Sequence, residues 1–299
     1  MIITSVVYGA FKLKLRGNQI QMVIHTKIIF SRNLCLARLH IFTFCCLDQM
    51  YKVAGPNATQ EIEDAAAIIN WLPEGLIQVL DSEALVEVRP MLDKFALIGH
   101  SRGAKVAFGL VLGLSKISLD LKIGAIVGLD PVDGKDIGQQ TIPPILMFSD
   151  HSFDLTVPIL IIGSGLGALK RNIFFPPCAP EGVNHQAFFL ECSEPAFYFV
   201  ALEHGHMDFL DDNIDGFRGK LSYCICRNGS SRSPMRKFSG GILVAFFGAT
   251  FLSETITLEN LLKNPGLAPV KLDSPKWYTP TFSTTSECPD LKLVFSHGD

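Results

Sequence analysis

Acidic residues are missing from the first 47 positions, which hold six lysines or arginines. An acid-poor, basic opening is one property of organelle transit peptides, but this stretch is rich in Ile, Leu and Phe and poor in Ser, as they are not. No cleavable secretory pattern stands out. Long apolar runs are lacking too. None reaches the ~18 residues of a membrane span, and the nearest, residues 240–252, reads as a buried core helix. An excess of positive charge is missing: the formal net charge of -3 leaves no polybasic surface for nucleic acid. The eight cysteines do not group at metal spacing, since Cys224-Ile225-Cys226 has a single spacer. Buried thiols, or a disulfide among Cys178, Cys192, Cys224 and Cys226, are expected instead of a metal site. No internal repeat is visible.

What is present is apolar. Hydrophobic residues make up 48% of 299, enough for a sizeable core in one large or two small domains. Residues 1–40 are hard to read, with apolar patches broken by single basic residues. Residues 41–47 read as a buried strand and 51–56 as a turn. A helix follows. Asn57 can cap it, with Gln60 in capping-box position. Ile62, Ala65, Ala66, Ile69 and Leu72 recur at helical spacing, and Pro73 and Gly75 are expected to end it. Apolar runs at 95–98, 123–129, 158–162 and 197–202 are each bounded by turns, the pattern of a parallel α/β sheet. Functional groups then belong at the carboxyl ends of the strands, where Ser101, Asp130 and His206 fall. From about Pro265 the chain is rich in Pro, Thr and Ser and reads as irregular.

The chemistry centres on Gly99-His100-Ser101-Arg102-Gly103. A G-x-S-x-G pentapeptide alone is weak, with on the order of 0.1 chance matches in such a chain. Here an apolar strand precedes it and a helix with small residues Gly103, Ala104, Ala107 and Gly109 follows, the context of a nucleophile elbow. A Cβ at Gly99 or Gly103 would clash in that turn. The helix N-terminus and the Arg102 N–H would face a developing oxyanion. A serine hydroxyl needs a base within hydrogen-bond reach, and the chain order is Ser, acid, His. The acid can be Asp130, Asp133, Asp136, Asp150 or Asp154. Asp130 comes directly off a strand and is preferred, with Asp133 next. Many hydrolases place the acid one strand later, but the turn there, Gly163-Ser164-Gly165-Leu166-Gly167, has no carboxylate. That turn mimics a dinucleotide loop, with its third glycine at the wrong offset and no acidic partner following. For the base, His206 is preferred and His204 second, both just past the last strand. His100 points elsewhere in such turns, and His151 and His185 lie in loops.

With these residues in place the chain resembles plant chlorophyllase, a branch of the α/β-hydrolases. The resemblance rests on Val53-Ala54-Gly55-Pro56, the Ser101 pentapeptide, Gly128-Leu129-Asp130-Pro131-Val132-Asp133-Gly134 and His151-Ser152-Phe153-Asp154-Leu155. It continues through Ile162-Gly163-Ser164-Gly165-Leu166-Gly167, Phe175-Pro176-Pro177-Cys178-Ala179-Pro180, Gly182-Val183-Asn184-His185, Gly205-His206-Met207-Asp208 and Tyr223-Cys224-Ile225-Cys226. It runs from about residue 41 to 270.

It implies an α/β-hydrolase fold with a mostly parallel sheet and incomplete or divergent N-terminal strands. The implied divisions are an atypical segment at 1–40, a hydrolase domain at 41–270 and an irregular tail at 271–299. The implied activity is hydrolysis of the phytyl ester of chlorophyll or a related porphyrin ester. Ser101 would be nucleophile, Asp130 acid and His206 base, with Gly99, Arg102 and Gly103 forming the elbow and part of the oxyanion site. No cofactor or metal is implied, the magnesium being the substrate's own. Such a substrate implies peripheral membrane contact and a plastid location, with cytosol or endoplasmic reticulum as alternatives.

Two departures from the family stand out. Ala104 replaces a further glycine after the elbow. The His-Gly-Phe turn that supplies the second oxyanion donor is not found upstream of residue 50, as a truncated or mis-spliced gene model would explain. Two other readings follow: a non-catalytic hydrolase-like protein lacking that loop, and a general lipid or carboxyl esterase.

Overall fold

In a computed structural model the described residues are four N-terminal strands, then residues 57–82, 90–210 and 224–278. The strands are β1 (Ile2–Ser5), β2 (Leu13–Lys14), β3 (Gln21–Ile24) and β4 (Ile41–Cys46). After them come helix α1 (Thr59–Ser82), β5 (Ala96–His100), α2 (Arg102–Val111), β6 (Ala125–Leu129), β7 (Ile159–Ser164), α3 (His185–Glu191) and β8 (Ala196–Ala201). The chain continues with α4 (Ser233–Leu252), α5 (Ile256–Lys263) and β9 (Lys276–Tyr278). The turn expected at 51–56 and the tail at 279–299 lie outside the described residues.

The described strands form one sheet in the order β2-β3-β4-β1-β5-β6-β7-β8-β9. Pairing is parallel from β4 through β1 to β8, and antiparallel at both edges. This is the mixed, mostly parallel α/β architecture the apolar runs imply. The first 40 residues, hard to read in sequence, supply three strands, with β1 wedged between β4 and the serine strand β5. The segment expected to be irregular from Pro265 holds a short 3-10 turn and β9, which pairs with β8.

Strict alternation along the central strands fills two cores. Leu97, Ile126, Ile159 and Ile161 face α1, α2 and α3. Their neighbours Ile98, Val127, Leu160 and Ile162 face α4 and α5. Both faces of a parallel sheet are thereby covered, which is why its strands read as continuous apolar runs. Helix α4 is 20 residues, longer than the 13-residue run in the sequence, and by length and composition alone could cross a membrane. Met235, Phe238, Ile242, Leu243, Phe246 and Phe247 bury it against the sheet instead.

Helix α1 corrects one expectation: it runs through Pro73 and Gly75 to Ser82. An interior proline costs about 3 kcal/mol. Burial of Leu72, Leu76 and Leu80, continuing the face begun by Ile62, Ala66 and Ile69, contributes about 1.5–3 kcal/mol for each leucine and outweighs it. A Cβ at Gly75 would stand 1.7 Å from the Trp71 ring, which would have to shift to admit it. At the helix start Asn57 Oδ1 accepts the Thr59 N–H at 2.8 Å, whereas Gln60 donates forward to Asp64 instead of closing a capping box.

Candidate active site

The carboxyl ends of β5, β6 and β8 converge on one point. Ser101 sits between β5 and α2 at φ 56°, ψ -123°, a strained conformation for a residue with a Cβ. The turn is held by Ser101 N–H donating to Leu129 O at 2.9 Å. Its sharpness depends on Gly99, where a Cβ would stand 2.2 Å from Gly103 O and 2.3 Å from Ala104 N. The small face of α2 serves helix packing as well as the sheet: Gly109 abuts Ile62 of α1. The Arg102 side chain turns away from the serine, donating to Glu61 at 2.6 Å and to Asn57 O at 2.7 Å.

Asp130 follows β6 at φ 45° and is fully buried. Its Oδ2 lies 2.7 Å from His206 Nδ1, and His206 Nε2 lies 2.9 Å from Ser101 Oγ. A carboxylate only accepts, so Nδ1 carries the imidazole proton and Nε2 is left to accept from the serine hydroxyl. This row can deprotonate Ser101 for attack on a carbonyl and stabilise the imidazolium that results. Burial pushes the Asp130 carboxyl up, but the bond from His206, the nearby His185 and the Ser164 hydroxyl outweigh it and hold the carboxyl down at about 2.

The other candidates sit elsewhere. Asp133 is buried but accepts from Lys105 Nζ, Gln140 Nε2 and the N–H groups of Ile145 and Leu146, and so ties down the loop after β6. Asp136 accepts the Ile137 N–H in that loop, and Asp150 and Asp154 are exposed. His151 bonds Cys192 O at the opposite end of the sheet. His204 is buried outside the row, and its carbonyl accepts the Leu166 N–H. His100 Nε2 lies 2.8 Å from His206 O, with the two rings 4.7 Å apart. Burial, and then the charge of His206, depress His100 to about 3, so it stays neutral and donates to that carbonyl. Of the cysteines, Cys178 and Cys226 form a disulfide, while Cys192 is a buried thiol and Cys224 an exposed one.

Three supporting residues went unassigned in the sequence. Ser164, the last residue of β7, donates to Asp130 through both its N–H (2.9 Å) and its hydroxyl (2.5 Å). His185 is not in a loop but opens α3, with Nδ1 2.7 Å from the Tyr198 hydroxyl and Nε2 3.8 Å from Asp130 Oδ1. Asp208 Oδ2 accepts the N–H groups of Gly205 and Gly229, each at 2.7 Å, and so shapes the turn that carries His206. The glycines of 163–167 pack closely. A Cβ at Gly163 would strike the His185 ring, and one at Gly167 would stand 2.4 Å from Ser164 Oγ. Strand β1 ends at Ser5, in register with Gly99, and residues 6–12, which follow it, lie outside the described residues.

The profile of the Chlorophyllase family matches residues 23–278. Chlorophyllase-2 of Arabidopsis thaliana is 47% identical over 232 residues, 76% of this chain and 72% of the relative. Chlorophyllase-1 of the same plant is 38% identical over 227 residues, 75% and 68% respectively. A citrus protein named "Chlorophyllase-1, chloroplastic", from Citrus unshiu, is 38% identical over 282 residues, 92% of this chain and 79% of its own length.

Proposed function

The chain belongs to the chlorophyllase family, and we propose that it is a serine carboxylesterase cleaving the phytyl ester of chlorophyll to chlorophyllide and phytol. The observation that carries this reading is the hydrogen-bonded row Ser101–His206–Asp130 inside a family match that covers most of the chain. Ser101 Oγ attacks the ester carbonyl as His206 Nε2 takes its proton. The oxyanion develops at the N-terminus of α2, near the Arg102 N–H. His206 then protonates the departing phytol oxygen, leaving the porphyrin's acyl group on Ser101. Water, deprotonated by His206, releases chlorophyllide and restores the hydroxyl. Asp130 keeps the proton on Nδ1 throughout and balances the imidazolium. Two supports for a plastid setting are the "chloroplastic" names of the citrus relatives and a membrane-borne substrate, which also requires contact with a lipid surface.

Comparison of kcat/KM for detergent-dispersed chlorophyll and for short acyl esters tests the substrate. Chlorophyll is expected to be preferred. Turnover of short esters with no release of phytol would make the protein a general esterase, and turnover of neither would make it a non-catalytic relative.

A further inference from the structure

The loop between β7 and α3 is closed at its base and apolar at its tip. At the base, Ala179 N–H donates to Gly167 O at 2.9 Å, and Cys178 is bonded to Cys226. Gly167 packs directly on the site, with Asp130 Oδ2 only 3.0 Å from where its Cβ would stand. At the tip, Asn172 Oδ1 accepts the N–H groups of Phe174 (2.9 Å) and Phe175 (3.2 Å). That Asx turn holds Ile173 and Phe174 outward, 88% and 80% exposed. Single exposed apolar side chains are ordinary, but two adjacent large ones fixed outward by hydrogen bonds make a patch.

Charge identifies the occupant. Lys170 and Arg171 immediately precede the tip, and no Asp or Glu occurs between Asp154 and Glu181, although the whole chain is net negative. An apolar tip beside cations matches the boundary between headgroups and acyl chains of an anionic bilayer. A second copy meeting this patch about a two-fold axis would bring the same cations together. We propose that residues 169–175 dock the protein on an anionic lipid bilayer, with Ile173 and Phe174 entering the acyl boundary and Lys170 and Arg171 meeting the headgroups. The purpose, though not the docking, rests on the esterase reading above: the loop's base abuts Asp130, so docking brings the site to a lipid-borne ester.

The test is flotation of the full chain with phosphatidylcholine vesicles, with and without phosphatidylglycerol. The parent chain is expected to float with the anionic vesicles. Ile173→Ser with Phe174→Ser lowers that partition by ~100-fold, from the apolar area withdrawn. Lys170→Gln with Arg171→Gln lowers it by ~10-fold or more and abolishes the difference between the vesicle types. Both variants keep parental turnover of a water-soluble short ester. The proposal is overturned if the parent binds no anionic vesicle, if the apolar variant binds as well as the parent, or if the variants change oligomeric state and not partition. A parent that floats yet releases no phytol from detergent-dispersed chlorophyll retains the docking surface and loses the esterase reading.

Discussion

Replacing Asp130 with asparagine keeps the size of the side chain and exchanges one carboxylate oxygen for an NH2 group. The Ser164 N–H, 2.9 Å from Oδ1, requires an acceptor there, so the amide oxygen takes that place. The NH2 then stands where Oδ2 was, 2.7 Å from His206 Nδ1. Two donors cannot share that contact, so Nδ1 becomes the acceptor and the imidazole proton moves to Nε2. Nε2 then offers a proton to Ser101 Oγ instead of taking one. A triad with the wrong tautomer loses ~10⁴ in kcat, or ~5.5 kcal/mol of transition-state stabilisation. The fold should be affected much less. Asp130 is held at about 2 against a reference of 3.8, a difference worth roughly 2–3 kcal/mol. Its folded value is depressed, so that stability is present above pH 3.8 and is lost as the pH falls toward 2. The assay is kcat on a water-soluble ester and on chlorophyll, with thermal unfolding followed by circular dichroism. A folded Asp130→Asn protein retaining more than ~10% of parental kcat, where the tautomer argument requires ~10⁻⁴, would show that another group orients His206.

Asp208→Ala leaves the N–H groups of Gly205 and Gly229 without their acceptor beside His206. It is expected to cost ~2–4 kcal/mol in urea unfolding and to lower kcat by ~10-fold or more as the turn loosens. His100 is depressed from 6.5 to about 3, so between those values the unfolded chain takes up a proton that the folded one does not. Stability therefore falls on acidification from pH 6.5 toward 3, by at most about 1.4 kcal/mol per pH unit from this group. His100→Gln, which can still donate to His206 O, should flatten that slope in urea titrations across the range. An unchanged slope would assign the acid sensitivity to other groups.

The sheet was legible where burial on both faces writes a continuous apolar run. Residues 95–98, 123–129, 158–162 and 197–202 became β5, β6, β7 and β8 within a few residues. It was illegible at the edges. Leu13–Lys14 and Lys276–Tyr278 are too short to show a period, and their assignment comes from hydrogen bonding to a neighbour that local sequence does not encode. Pro73 misled for the opposite reason: a local breaker was overridden by tertiary burial of the leucines around it. That Ser101, Asp130 and His206 would come together could be read because an elbow and strand ends restrict where such groups fall. The residues that steady them could not. Ser164 looked like part of an empty glycine turn, because the acid it serves reaches across from the neighbouring strand. His185 lay in a stretch without helical period, since α3 spans only seven residues.

Phytol release from chlorophyll by the parent chain and by Ser101→Ala tests the central claim most directly. The hydroxyl lies 2.9 Å from its base and forms no other part of the core, so the variant should fold as the parent does. The parent is expected to release phytol, and the variant to fall by ~10⁴ or more, to the residual left by binding and oxyanion contacts alone. A folded Ser101→Ala protein that releases phytol at the parental rate would contradict the account.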